Sequence, residues 1–412
     1  MRVKGPPGPV RVRGHLPGLD GVRGLAILLV LGVHFVGNAS AESWGERAAA
    51  KLGGYGVLGV DLFFVLSGFL ITGLLLDSKG SAGYFRNFYA RRTLRIFPLY
   101  YFVLALLFVV LPRLTALPPP LEEARSHQGW LWTYGTNFFI ATKGSWALTY
   151  VSHFWSLAIE EHFYLLWPLI VFSVRRALLE RICLCIIGAA LALRIGLTVG
   201  GFNELSISVL TPCRVDTLCV GALLAAMARR EAGPAPLVQG STRAAVVLAA
   251  ISVALGAWCA TTHLGLAVLH PVRTTLYAMF FGALTLMSVQ DQAHSLVARF
   301  FHASWLRTLG KYSYGVYVYH GILAQHMHQV QAQERLATLL GGHARGMVAY
   351  AVVGVCVSLL VAVLSYELFE KRFLAAKRFF ESRRTHAAGP QTGHGPAEHA
   401  GTAARTLPAL LE

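Results

Sequence analysis

Two side chains able to do chemistry stand in an otherwise apolar run, LDGVRGLAILLVLGVHFV (residues 19–36): Arg23 near its start and His34 near its end. A guanidinium binds anions and steadies developing negative charge, and an imidazole accepts and returns protons near neutrality. In a helix that turns about 100° and rises about 1.5 Å per residue, positions 23 and 34 return to nearly the same face, roughly 16 Å apart in depth. Asp20 lies one turn before Arg23. Ionisable groups inside a membrane helix are costly and mark cavities or pathways, so this stripe is the candidate catalytic face.

Five further runs carry reactive or charged groups. In YARRTLRIFPLYY (89–101), Arg92 and Arg95 are i, i+3 and project from one helix face, with Arg91 beside them. Paired guanidiniums suit phosphate groups, and the plain alternative is a basic anchor at a membrane boundary. In FWSLAIEEHFYLLWP (154–168), Glu160 and Glu161 point about 100° apart, so one of them faces a given cavity. Periodicity does not say which, and a site-orienting role is favoured over catalysis. Asp61 opens the run GVDLFFVLSGFLIT (59–72), where Ser67 and Gly68 read as close-packing positions. Arg214 and Asp216 in TPCRVDTLCVGALLA (211–225) are placed to pair with other helices. Tyr312 and His320 fall on a polar stripe in GKYSYGVYVYHGIL (310–323), where His320 reads as structural before it reads as a second titrating group. Ser67 lacks a Gly-x-Ser-x-Gly elbow, which argues against a serine nucleophile. Glu367 and Glu370 read as boundary ion pairs. No spacing of Cys and His suits a metal.

The elements that position these groups are membrane helices. The chain has 412 residues, 55% hydrophobic and 14% charged, a balance that excludes an ordinary soluble globule. The formal charge of +16 does not point to nucleic acid, because most of the 36 Lys and Arg fall in alternate short loops between apolar runs. The six cysteines lie in or beside apolar runs, so no disulfide framework is expected. The pattern predicts an all-α polytopic membrane protein with ten transmembrane helices near 19–37, 55–76, 96–112, 153–174, 182–201, 207–228, 244–262, 270–289, 310–331 and 347–368. The charge asymmetry places both termini in the cytoplasm. Residues 1–18 read as a cytoplasmic tail, 19–373 as the membrane domain, and 374–412 as a disordered cytoplasmic tail. The basic start and Ala39-Ser40-Ala41 resemble a cleavable signal, but the first span is read as retained because it carries Arg23 and His34. The aromatic patch WLWTYGTNFF (130–139) in the long outer loop reads as an interfacial belt or a roof over a cavity.

Taken in order, these runs resemble the acyltransferase 3 family of integral-membrane O-acyltransferases, over residues 16–373. No esterase-like domain is seen after the spans, as expected of its stand-alone form. The resemblance implies transfer of an acyl group, by default acetyl, from an acyl-CoA co-substrate such as acetyl-CoA to a hydroxyl of a carbohydrate or glycosylated acceptor. Surface polysaccharide, peptidoglycan, a glycolipid and a macrolide-type metabolite all fit. It also implies that Arg23 and His34 match the family's essential pair and that Arg92 and Arg95 match its donor-binding Arg-x-x-Arg. His34 is then the general base, with an acyl-histidine intermediate the less favoured variant. The rival from another class is a transporter or flippase of a lipid-linked sugar, which needs no acyl-CoA.

Overall fold

A computed structural model describes residues 16–261, 266–290 and 295–380, and among these residues all regular structure is helical. The predicted tails fall mostly at 1–15 and 381–412, outside the described residues. Each of the ten predicted spans lies on a long helix. We number these α1 (Pro17–Gly32), α2 (Leu58–Ser78), α3 (Tyr84–Ala105), α4 (Phe154–Ser173), α5 (Arg176–Val199), α6 (Thr211–Met227), α7 (Ala235–Thr261), α8 (Leu266–Met287), α9 (Ser304–Gln329) and α10 (His343–Ser365). Six helical segments are long and apolar enough to cross a membrane, as a multi-pass membrane protein requires. They contain α1, α2, α3, α5, α7 and α10. The remaining four helices are shorter or more polar: α6 has 17 residues and holds Arg214 and Asp216, α4 holds Glu160 and Glu161, α8 holds Arg273, and α9 holds Lys311 and His320.

The element carrying the Arg–His pair sits in the middle. α1 starts with Pro17 in its first turn and Asp20 near its positive end, both favourable there. It packs between α2 and α9 and buries Val22, Ala26, Ile27, Val30 and Leu31. Glycines let these helices approach closely: a Cβ on Gly310 of α9 would lie 1.9 Å from the Asp20 carbonyl oxygen. α2 also crosses α6, and there Gly68 and Gly221 each leave room for the other helix's backbone. α5, α6 and α8 form a second group packed on α2 through α6 and α8.

One local expectation changes, and one loop gains detail. α3 begins at Tyr84, well before the predicted span at 96, and runs through Pro98, so Arg91, Arg92 and Arg95 are mid-helix residues. The aromatic patch packs partly onto the helices, with Leu131, Tyr134 and Phe139 buried and Trp130 and Phe138 exposed. It forms the short helices Gly129–Trp132 and Thr136–Lys143, and Tyr134 stacks on Tyr100 of α3 with ring centroids 4.4 Å apart. Trp132 lies parallel to Tyr101, and Asn137 donates to the Val209 carbonyl.

Candidate active site

Arg23 from α1 and Arg92 and Arg95 from α3 converge on one cavity of about 90 Å³, joined there by Ser67 of α2, Glu160 and Tyr164 of α4, and Tyr314 and Tyr317 of α9. Arg23 Nη1 donates to Asp20 Oδ1 at 2.9 Å, the i, i+3 contact of one helical turn. Arg92 lies over the Tyr164 ring, 5.5 Å from its centroid. Among the described residues neither Arg92 nor Arg95 forms an ion pair, so two guanidiniums face this space without a bound carboxylate. Ser67 Oγ donates to Glu160 Oε1 at 2.5 Å. A smaller neighbouring pocket joins Asp20, Arg23 and Arg95 to Lys311, Tyr366 and Glu370.

A second cavity, about 360 Å³, holds His34 together with His153, Trp146, Trp155 and Tyr317. His34 lies in a π-helical turn, Val33–Gly37, that continues α1, a distortion common at functional sites. Its Nδ1 is 2.9 Å from the Val30 carbonyl oxygen. A carbonyl only accepts, so Nδ1 carries the proton and Nε2 of the neutral ring keeps a lone pair. His320 meets the His34 ring edge-on at 4.6 Å between centroids. It is fully buried, with Nδ1 donating to the Tyr317 carbonyl at 2.7 Å and Nε2 unpartnered. His153 is tied through Nε2 to the Val318 carbonyl at 3.1 Å. The Arg cavity and the His34 cavity share Val60 and Tyr317. Tyr317 is held there by hydroxyl contacts to Ser156 and to the His153 carbonyl.

A third cavity, about 780 Å³, adjoins the second along Val57, Val60, Trp146 and Trp155. Its floor is two buried ion pairs: Arg214 with Asp61 at 2.5 Å and Arg194 with Asp216 at 2.7 Å. Thr275 of α8 also donates to Asp216, at 3.2 Å.

The structure thus sorts the sequence-derived residues. Arg23, Arg92, Arg95 and Glu160 share one cavity, and His34 lines its neighbour, so the single Arg–His stripe is divided between two cavities with Val60 and Tyr317 in common. Asp61 and Arg214 are partners, and Asp216 acts through Arg194. Glu160 is the cavity-facing carboxylate, whereas Glu161 Oε1 is buried without a partner. Tyr312 lies apart from these cavities: its hydroxyl reaches Glu367 at 3.4 Å, and Tyr314 and Tyr317 hold the inward face of α9. Arg91 likewise lines none of them. Glu367 pairs with Lys371 at 3.0 Å as a boundary group, but Glu370 turns inward, buried beneath Ser365 and facing Arg95. Missed entirely were Ser67 as the Glu160 partner, and Ser156, Tyr314 and Tyr317 as lining. Ser156 stands four residues before Glu160, a same-face spacing that was available in the sequence. Among the described residues no group of three His, Cys, Asp or Glu is placed to hold a metal ion.

Comparison with known proteins follows the same outline. Residues 16–367 match the family model of an acyltransferase domain, acyltransferase 3. The chain is 27% identical over 333 residues to the O-acetyltransferase OatA of Staphylococcus aureus, covering 74% of this chain and 50% of that protein. It is 28% identical over 326 residues to the peptidoglycan O-acetyltransferase OatA of Listeria monocytogenes, covering 75% and 49%. It is 28% identical over 385 residues to the putative peptidoglycan O-acetyltransferase YrhL of Bacillus subtilis, covering 87% and 54%. The chain spans about half the length of these relatives. No solved structure matches.

Proposed function

This chain belongs to the acyltransferase 3 family, and we propose on that basis that it transfers an acyl group, acetyl by default, from acyl-CoA to a hydroxyl of a carbohydrate acceptor. All ten long helices are taken as spans with both termini cytoplasmic, which puts the Arg92–Arg95 end inside and His34 towards the outside. The observation that carries the reading is a pair of neighbouring cavities: unpaired guanidiniums line one, an imidazole with a free Nε2 lines the other, and Val60 and Tyr317 belong to both.

An unneutralised guanidinium pair away from bulk water calls for an anion, and the phosphates of a cytoplasmic nucleotide thioester supply one. Arg92 and Arg95 hold those phosphates, and Arg23, steadied by Asp20, faces the same space. The thioester arm then extends past Ser67 and Tyr317 towards His34. There Nε2 takes the proton from the acceptor hydroxyl while that oxygen attacks the thioester carbonyl. The C–S bond breaks, the thiolate leaves, and the proton on His34 passes to it, returning the ring to its resting tautomer. Val30 fixes the ring for this exchange by accepting from Nδ1. The acceptor comes from the outer side; the named activities of the relatives favour a cell-wall glycan.

Donor binding is the test. Purified protein should bind acetyl-CoA with an affinity that falls with rising salt and drops at least about tenfold in Arg92→Gln/Arg95→Gln, as expected for lost charge-assisted contacts. Folded wild-type protein that binds no acyl-CoA contradicts this donor assignment. Movement of a lipid-linked sugar without acyl transfer would support the transporter reading instead.

A further inference from the structure

The reading above leaves the acceptor's chemistry open, and the third cavity bears on it. We propose that the cavity of about 780 Å³ seats the acceptor and selects an anionic sugar, one bearing a carboxylate or a phosphate; this rests on the transferase reading for its meaning but not for its test. Its volume lies within the range of about 300–1,000 Å³ usual for small-ligand sites. It shares Val57, Val60, Trp146 and Trp155 with the His34 cavity, and in this proposal a sugar seated in it turns a hydroxyl towards the imidazole across that shared wall.

Two features set its preference. The first is charge. The floor pairs neutralise one another: Arg214 against Asp61, Arg194 against Asp216. Among the described residues the other charged groups along the wall are Lys51, Arg273 and Glu204, two cations to one carboxylate. The Arg273 Nε and Nη2 both donate to the hydroxyl of Tyr277, at 3.1 and 2.6 Å, which aims the guanidinium without cancelling its charge. Neither Arg273 nor Lys51 forms an ion pair among the described residues. The second feature is aromatic surface. Trp146 and Tyr55 are each 51% exposed, while Trp155 is fixed beneath the Arg214 guanidinium, 5.9 Å from its ring. Flat apolar faces beside polar groups suit a pyranose ring, which has an apolar face and a polar rim.

The experiment uses full-length wild-type protein in detergent with no acyl donor present, so that binding is read apart from transfer. Three probes are titrated: a neutral N-acetylglucosamine tetrasaccharide, a tetrasaccharide of the same length alternating with N-acetylmuramic acid, and the neutral tetrasaccharide carrying one phosphate monoester. At least one acidic probe should bind about tenfold tighter than the neutral one, the size of one accessible charge-assisted contact, and the advantage should shrink with salt. Which acidic probe gains identifies carboxylate or phosphate as the group read. Arg273→Gln should remove most of the advantage while neutral binding stays unchanged, and Arg273→Lys should keep part of it. Lys51→Gln, at an exposed position, makes the same comparison should Arg273→Gln fail to fold. Equal binding of all three probes, an advantage untouched in the variants, or no binding by folded wild type overturns the proposal. So does acidic lipid, supplied in nanodiscs with phosphatidylglycerol, occupying the site in an Arg273-dependent way without any sugar preference. A protein that selects acidic sugars yet transfers no acyl group keeps this site and loses the transferase reading.

Discussion

Glu160 and Glu161 are adjacent in sequence and opposite in circumstance. Glu160 accepts from Ser67 and looks onto Arg23, Arg92 and Arg95; Glu161 buries one carboxylate oxygen with no partner. Glu160→Ala removes the only carboxylate among the described residues that line the Arg92–Arg95 cavity and leaves Ser67 without its acceptor. Acyl transfer should fall by about tenfold or more, the cost of a charge-assisted hydrogen bond of about 1.5–3 kcal/mol. Glu161→Gln should change turnover by less than about threefold, since no partner is lost. Steady-state rates with equal amounts of folded protein decide this, and equal losses at both positions would make the pair structural. The sequence showed that one of the two faces a cavity but not which, because the choice is made by Ser67 on another helix. The same limit explains Tyr312: the polar stripe of α9 was legible, but its inward edge is set by α1, α3 and α4, and it falls on Tyr314 and Tyr317.

At the scale of elements, the crossing of α2 and α6 holds Asp61 against Arg214. It depends on two glycines in contact with backbone. A Cβ at Gly221 would lie 1.9 Å from the Val65 carbonyl oxygen, and one at Gly68 equally close to that of Leu218. Gly221→Ala must therefore push the helices apart, at a cost of about 1–3 kcal/mol for overpacking. Gly188→Ala, with nothing within 4 Å of the added carbon, is the matched control and should be neutral or mildly stabilising. Thermal unfolding in detergent reads both, and a Gly221→Ala protein as stable as wild type would show that the crossing relaxes. Gly68 was legible as a packing residue because small residues in spans usually serve that purpose. Ten long helices were legible too, though the sequence read all ten as spans and six of the helical segments are long and apolar enough to cross a membrane. The four less apolar ones, α4, α6, α8 and α9, all bear on the cavities: Glu160, Arg214, Arg273 and Tyr317 line them.

At the scale of the whole molecule, buried charges join helices that are distant in sequence. Arg194 of α5 meets Asp216 of α6 and Thr275 of α8, and Arg214 of α6 meets Asp61 of α2. Removing one partner leaves a buried charge, which costs about 3–5 kcal/mol, whereas replacing both with apolar residues is often close to neutral. Arg194→Leu should thus unfold at a clearly lower temperature than wild type, and Arg194→Leu/Asp216→Leu should recover most of the loss. A double variant no more stable than the single would assign the stability instead to the bonds Arg194 donates to Thr275 Oγ1 and to the Cys213 carbonyl oxygen. The partition of one Arg–His stripe into two compartments belongs to this scale as well. It arises where Val60 of α2 and Tyr317 of α9 close on α1, a convergence of three helices that spacing along α1 alone does not contain.

The central claim is that the Arg92–Arg95 cavity and the His34 cavity serve one transfer. The measurement that meets it most directly is the movement of radiolabel from acetyl-CoA into a cell-envelope extract by purified wild type, His34→Ala and Arg92→Gln/Arg95→Gln, with acetyl-CoA binding measured on the same preparations. The account predicts label in an extract component with wild type, no transfer but intact donor binding with His34→Ala, and transfer restored only at high donor concentration with the arginine variant. Transfer that persists in folded His34→Ala protein, or an arginine variant with unchanged donor dependence, would contradict it.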